Sequence, residues 1–381
     1  MLIGPVLNLI EPQALTGFAA LVGTLALVII VFEGGINLNF NQVIRELTES
    51  TWFTVLACVV TAFFVMLVMM ALGWSAPYGL LLGFIVAGTS YEIVVPLIAR
   101  LSVSEDAKTL LNLESAMNDA VTIVATIAII QFLAPAQSFL ITGFNALDPM
   151  QKVASAFSIA ITAGIIFGVV WARVLASKLH GKPFGYLLTL ATVFVLFAVV
   201  ESLGGNGITS ILVFGLVLGN FGPFAEFLRT KEKEGAFQIS PEIKSFQTEV
   251  SFFVKTLFFV YMGIVFNFGA ISQTTLFYAA LVFTAIVLAR WLVVKLLVSV
   301  NRSLKQSKSM IFLMLPRGLA TAVLATLPAA SRLSVPYLVE IVLLIIIFSN
   351  VFATIGVFLS EFRRGKGTQE ILASGTIEGH L

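Results

Sequence analysis

Eleven stretches of this sequence are long and apolar enough, or nearly so, to cross a bilayer. They run roughly over 15–35, 52–73, 78–99, 109–133, 153–175, 184–203, 205–221, 250–268, 276–299, 309–328 and 336–359. About 20 helical residues span the ~30 Å of hydrocarbon. Segments six and seven are parted only by Gly204-Gly205-Asn206-Gly207, and the seventh is short. Charged residues make up only 11% of the chain, against 59% apolar, where an ordinary soluble domain is about a quarter charged. So few charges could not cover a soluble globule of this size. The weak alternation of a membrane barrel is absent. The same composition excludes a disordered chain, and the single cysteine, Cys58, excludes an internal disulfide framework. The expected fold is an all-α polytopic membrane protein.

The loops orient it. Connections one, three, five, seven and nine, together with the C-terminal stretch, carry sixteen Lys and Arg residues. The even connections carry only Lys152 and Arg332. Positive charge stays on the cytoplasmic side, so the C-terminus is expected in the cytoplasm and the N-terminus outside an inner or plasma membrane. Residues 361–381 read as a short polar cytoplasmic tail rather than a regulatory domain. With no basic n-region and cleavage site, the first helices are expected to serve as the insertion signal.

Ten charged residues remain inside the segments: Lys255, Arg290, Lys295, Arg317, Glu33, Glu92, Glu114, Asp119, Glu201 and Glu340. A charge at bilayer depth is costly and is a functional candidate by default. Those near segment ends can instead snorkel to the headgroups, the simpler reading for Lys255, Lys295 and Glu340. Arg290 fits either reading. Glu114, Asp119 and Arg317 lie too deep for it. A short repeat accompanies them. Val31-Phe32-Glu33-Gly34 is followed by Asn39-Phe40, and Val260-Tyr261-Met262-Gly263 by Asn267-Phe268. The first string lies on an inward-running segment and the second on an outward-running one. The third member of each four-segment set carries a helix breaker: Gly88-Thr89-Ser90 in segment three, Pro316-Arg317-Gly318 in segment ten. Interrupted helices at matching places in two inverted halves point to a transporter site. The fold class expected is therefore an inverted-repeat secondary transporter with two discontinuous helices crossing at mid-membrane.

Segment four carries the chemistry. In Glu114-Ser115-Ala116-Met117-Asn118-Asp119, helical spacing puts Ser115 over Asp119 and Glu114 over Asn118. Ser115 and Asp119 offer oxygen to a hard cation. A buried Asp119 is neutralised by a proton or by a metal ion, and the bare carboxylate is the costly state. Two ligands that compete at a site facing alternate sides are exchanged. Broken segment three adds backbone carbonyls near Thr89. Arg317, always charged, needs a partner at that depth, and Glu114 is the natural one.

At these residues the chain resembles the sodium/proton exchanger branch of the monovalent cation:proton antiporters. The resemblance rests on FEGG at 32–35, ESxxND at 114–119 and LPRGLA at 315–320. It implies a thirteen-helix fold and a homodimer, with core helices at about 52–133 and 276–359 moving against scaffold helices at about 15–35 and 153–268. It implies that Asp119 is the exchanging carboxylate and that Ser115, Glu33 and the Thr89 backbone help hold the ion. Asn118 would steady the broken helices, and Glu114 would pair with Arg317. The Asn118-Asp119 pair resembles the branch that exchanges one cation for one proton without net charge. Two departures matter. Ile3-Gly4-Pro5-Val6-Leu7-Asn8 looks like the tail of a preceding helix, so the first two family helices are expected to be missing. The family's Thr-Asp-Pro is Thr89-Ser90-Tyr91 here. Glu92 could supply the displaced carboxylate, or could face a vestibule or a core arginine.

The expected activity is thus antiport of Na⁺, with Li⁺ or K⁺ as variants, against H⁺. It requires no cofactor, no enzyme chemistry and no nucleic acid; its partners are the ions, the bilayer and a second copy. A potassium/proton antiporter of the same fold is the nearest alternative. A passive channel needs a continuous polar pore, a sensory module an attached signalling domain, and a solute:sodium symporter a larger polar pocket. His180 and His380 lie outside the long apolar runs and suggest no metal centre. Glu201 either lines an entrance or reaches the interface.

Overall fold

The computed structural model describes residues 19–37, 49–99, 101, 103–138, 147–178, 184–222, 241–265, 271–331 and 333–375. Ile3–Asn8, His180, His380 and the charged run Lys231–Glu234 lie outside them, as does Arg332.

The helices are α1 (Ala19–Asn37), α2 (Glu49–Ala71), α3 (Ala76–Ile85), α4 (Tyr91–Ala99), α5 (Glu105–Ser138), α6 (Leu147–Lys178), α7 (Gly185–Ser202), α8 (Gly207–Gly219), α9 (Pro241–Val265), α10 (Gln273–Val300), α11 (Lys308–Leu313), α12 (Leu319–Ala330) and α13 (Leu338–Gly375). Within α2, α5, α6, α7, α10 and α13 lie six runs long and apolar enough to cross a membrane, and α1, α3, α8 and α12 contain shorter apolar ones. Large apolar side chains such as Trp52, Phe63, Phe253, Phe277 and Phe358 stand exposed on the outside, as befits a body solvated by lipid.

Segments six and seven are two helices. Gly204 takes a left-handed φ of +74°, and Asn206 caps α8, its side chain accepting the Thr209 N–H at 2.7 Å. Segment eight begins earlier than expected, at Pro241, and α13 continues past the expected end of its span to Gly375. The two segments with predicted breakers are both broken: 78–99 into α3 and α4, and 309–328 into α11 and α12, with Met314–Gly318 non-helical.

Close packing relies on small residues. A methyl group added to Gly35 on α1 would lie 2.5 Å from the Leu212 carbonyl oxygen of α8. The two backbones therefore touch, as small residues allow between helices in lipid. Beside this contact Phe32 stacks on Phe214, ring centres 5.8 Å apart.

Candidate functional site: a cavity where two broken helices cross

The two breaks meet. The Ser90 N–H donates to the Pro316 carbonyl at 2.8 Å. Gly318 packs directly on Ser90: a Cβ there would sit 2.6 Å from the Ser90 Cβ. Asn118, buried on α5, donates its amide to the Thr89 hydroxyl. The second break is also stapled to α13. Arg317 N–H donates to the Ser349 hydroxyl at 3.0 Å, and the Asn350 amide donates to the Arg317 carbonyl at 3.0 Å.

Helix breakage leaves C-terminal carbonyls without partners, and two buried arginines answer them. Arg290 of α10 is 4% exposed. It donates Nε to the Ile311 carbonyl at 3.2 Å and Nη2 to the Ile311 and Met314 carbonyls, each at 2.9 Å. It thereby closes the end of α11. Arg317 donates Nη1 to the Ala87 carbonyl beyond α3. A cation at a helix C-terminus is favoured by the dipole as well as by the hydrogen bond.

This arrangement corrects one expectation. Glu114 pairs with Arg290, not with Arg317. Both carboxylate oxygens are engaged, Oε1 with Nη1 and Oε2 with Nη2, the latter at 2.9 Å. Bidentate geometry and near-complete burial make this the dominant pairing. The snorkelling alternative for Arg290 fails with it. Arg290, which the sequence leaves open to either reading, lies in the middle of its segment and is buried against its partner. Arg317 is expected to need a partner because it is always charged and lies deep, but its guanidinium serves the break itself.

In front of this buried layer lies a cavity of about 820 Å³. The first turns of α4 and α12 open on it through Ser90, Tyr91, Glu92, Gly318, Leu319 and Ala320. Asp119, partly buried, lines it from α5, Thr89 from the first break and Glu33 from α1. Helix N-termini present free N–H groups and positive dipole ends toward the cavity. Ser115 is fully buried, gives its hydroxyl to the Asn112 carbonyl at 3.2 Å, and is not among the cavity-lining residues. Among the described residues the fourth charged group of the cavity is Lys255 of α9. Its ammonium bridges Glu33 Oε2, at 2.7 Å, and Glu92 Oε1. The simpler expectation for Lys255, snorkelling to the headgroups, does not hold; a Lys five residues into an apolar run can equally face a cleft. Lys295 is exposed and lies 5.0 Å from the centre of the Trp291 ring. Glu201, also exposed, accepts the Gly207 N–H at 2.8 Å and so helps begin α8.

The family model described as "Sodium/hydrogen exchanger, transmembrane" matches residues 1–360. The chain belongs to this sodium/hydrogen exchanger family. Its three motifs now have places within the family fold. FEGG supplies the Phe32 stack, a cavity carboxylate and the Gly35 backbone contact. ESxxND supplies the buried ion pair, the Asn118 strut and Asp119, and LPRGLA forms the second break. Among solved structures, the sodium proton antiporter MjNhaP1 of Methanocaldococcus jannaschii at pH 8 aligns with a TM-score of 0.68 at 20% identity, covering 96% of this chain and 88% of that one. The Na(+)/H(+) antiporter ApNhaP of Aphanothece halophytica is 27% identical over half of this chain and 34% of its own length. The K(+)/H(+) antiporter NhaP2 of Shewanella sp. strain ANA-3 is 31% identical over 53% of this chain and 35% of its own. A probable Na(+)/H(+) antiporter 2 of M. jannaschii is 26% identical over 69% of this chain and 60% of its own. The chain thus spans about a third of the length of the first curated relatives it matches.

Proposed function

We propose that this membrane protein is a secondary antiporter that exchanges a monovalent cation, Na⁺ in the first reading, for H⁺, with Asp119 carrying each in turn. One observation carries the proposal: Asp119 lines the cavity where the two interrupted helices cross. A carboxylate so placed is neutralised by a proton or by an alkali ion, and each ligand displaces the other. Thr89 and Ser90, which line the same cavity, are candidates to add oxygen donors. Glu33 and Ser115, ligands by family resemblance, are engaged here with Lys255 and Asn112.

The reading includes alternating access of helices 52–133 and 276–359 against 15–35 and 153–268, built on the inverted repeat. It also includes a homodimer, and a cytoplasmic C-terminus supported by the loop charges. Potassium is the second reading, favoured by the relatives named K(+)/H(+) antiporters.

The test is reconstitution in liposomes with an enclosed pH dye, followed by pulses of Na⁺, K⁺ or Li⁺. Antiport predicts cation-triggered proton movement that persists when the membrane potential is clamped at zero, and that Asp119→Asn abolishes. Exchange undiminished in Asp119→Asn would remove the proposal.

A further inference from the structure

Lys255 stands out because nothing in the exchange chemistry requires an ammonium in a cation site. Its Nζ lies between two carboxylates from different helices, Glu33 on α1 and Glu92 on α4. The lysine side chain is 15% exposed, that of Glu33 16% and that of Glu92 46%. The cluster is therefore inside the cavity mouth rather than on the surface. Asp119 is the remaining charged residue on the same wall.

We propose that Lys255 is a specificity-determining residue: a tethered cation that sets the charge of the cavity and confines it to monovalent ions. The inference rests on the antiport reading above. The three carboxylates and one ammonium leave two negative charges when Asp119 is ionised and one when it is protonated. Without the ammonium there would be three and two. Two uncompensated carboxylates that converge on one point, with the Asn37 amide and the Thr256 hydroxyl on the same cavity wall, are the oxygen set a divalent ion takes up. With Lys255 in place that point is already filled by a cation that cannot leave; the triad keeps a single negative charge shared over its two carboxylates, and Asp119 is the cavity carboxylate that the ammonium does not engage and a mobile ion can take.

The experiment compares the full chain with Lys255→Gln, Lys255→Arg and Lys255→Gln/Glu92→Gln, by thermal unfolding and by liposome exchange, with CaCl2 titrated at constant ionic strength. Millimolar Ca²⁺ is expected to leave the unfolding temperature of the unsubstituted protein and of Lys255→Arg unchanged. It should raise that of Lys255→Gln by several degrees, and the second substitution should remove the gain. In exchange assays Ca²⁺ should raise the apparent KM for the monovalent ion in Lys255→Gln about tenfold or more while leaving kcat in place, as a competitor for carboxylate oxygens does. A Lys255→Gln protein that folds only with Ca²⁺ present gives the same answer. A Lys255→Gln protein indifferent to Ca²⁺, whether folded or aggregated, overturns the inference. The unfolding arm needs no transport, so failure of the unsubstituted protein to exchange ions would count against the antiport reading alone.

Discussion

The buried charges differ in kind from those of the cavity, and single residues show how. Glu114 and Arg290 are 2% and 4% exposed and bonded to each other through both oxygens. Removing one partner strands the other charge away from water, which costs roughly 3–5 kcal/mol. Glu114→Gln is therefore expected to lower the unfolding temperature sharply, whatever it does to transport. A double-mutant cycle separates the two arginines. Glu114 should couple to Arg290 by about 2 kcal/mol or more and to Arg317 by well under half of that. Equal coupling to both would mean that the carboxylate is shared, contrary to the bidentate geometry. The error in pairing Glu114 with Arg317 has a physical origin. Sequence depth says which charges need partners, but the partner is chosen by interhelical approach, which no spacing within one helix encodes. Asp119 was legible because an acid deep in an apolar segment is visible in the sequence itself, although the cavity around it was not. Lys255 was not, because the cavity it faces is made by α1, α4 and α5, far away in sequence.

At the scale of elements, both interruptions could be read from Gly88-Thr89-Ser90 and Pro316-Arg317-Gly318, since proline and glycine in an apolar run end helices for backbone reasons alone. What joins the breaks was hidden. They are held to each other by the Ser90 N–H on the Pro316 carbonyl and by the contact of Gly318 with Ser90, and to the neighbouring helices by Asn118 and Asn350. This gives Gly318 a role distinct from chain flexibility: its φ of −131° is open to any residue, so the constraint is space. Gly318→Ala must push α4 and α12 apart at their N-terminal turns, the cavity wall nearest the crossing. Overpacking of this kind costs about 1–3 kcal/mol. The expected result is exchange reduced about tenfold or more by displacement of the half-helix ends, with partial recovery on adding Ser90→Gly, which removes the atoms it strikes. If Ser90→Gly fails to rescue a folded Gly318→Ala protein, the close approach is not what the site depends on.

For the whole molecule, the orientation proposed above rests on the loop charges. Lys and Arg are retained on the cytoplasmic side during insertion, and the sequence divides them sixteen to two between the odd connections with the C-terminal stretch and the even connections. Ending α7 at Ser202 and starting α8 at Gly207 keeps two spans where a single bent one would have inverted everything after it. The division of charge and the separation of these two helices thus support each other. The chain offers a clean test, because its one cysteine, Cys58, is 1% exposed and shielded in the structure. A cysteine introduced at Lys305, exposed in the ninth connection between α10 and α11, becomes the reactive thiol. A membrane-impermeant maleimide is expected to label Lys305→Cys in inside-out vesicles and leave it unlabelled in intact cells, with the unsubstituted protein blank in both. Labelling from outside the intact cell would place the even-numbered loops in the cytoplasm, against the positive charge. It would also mean that one span has been miscounted, with the Gly204–Gly207 turn the first place to look.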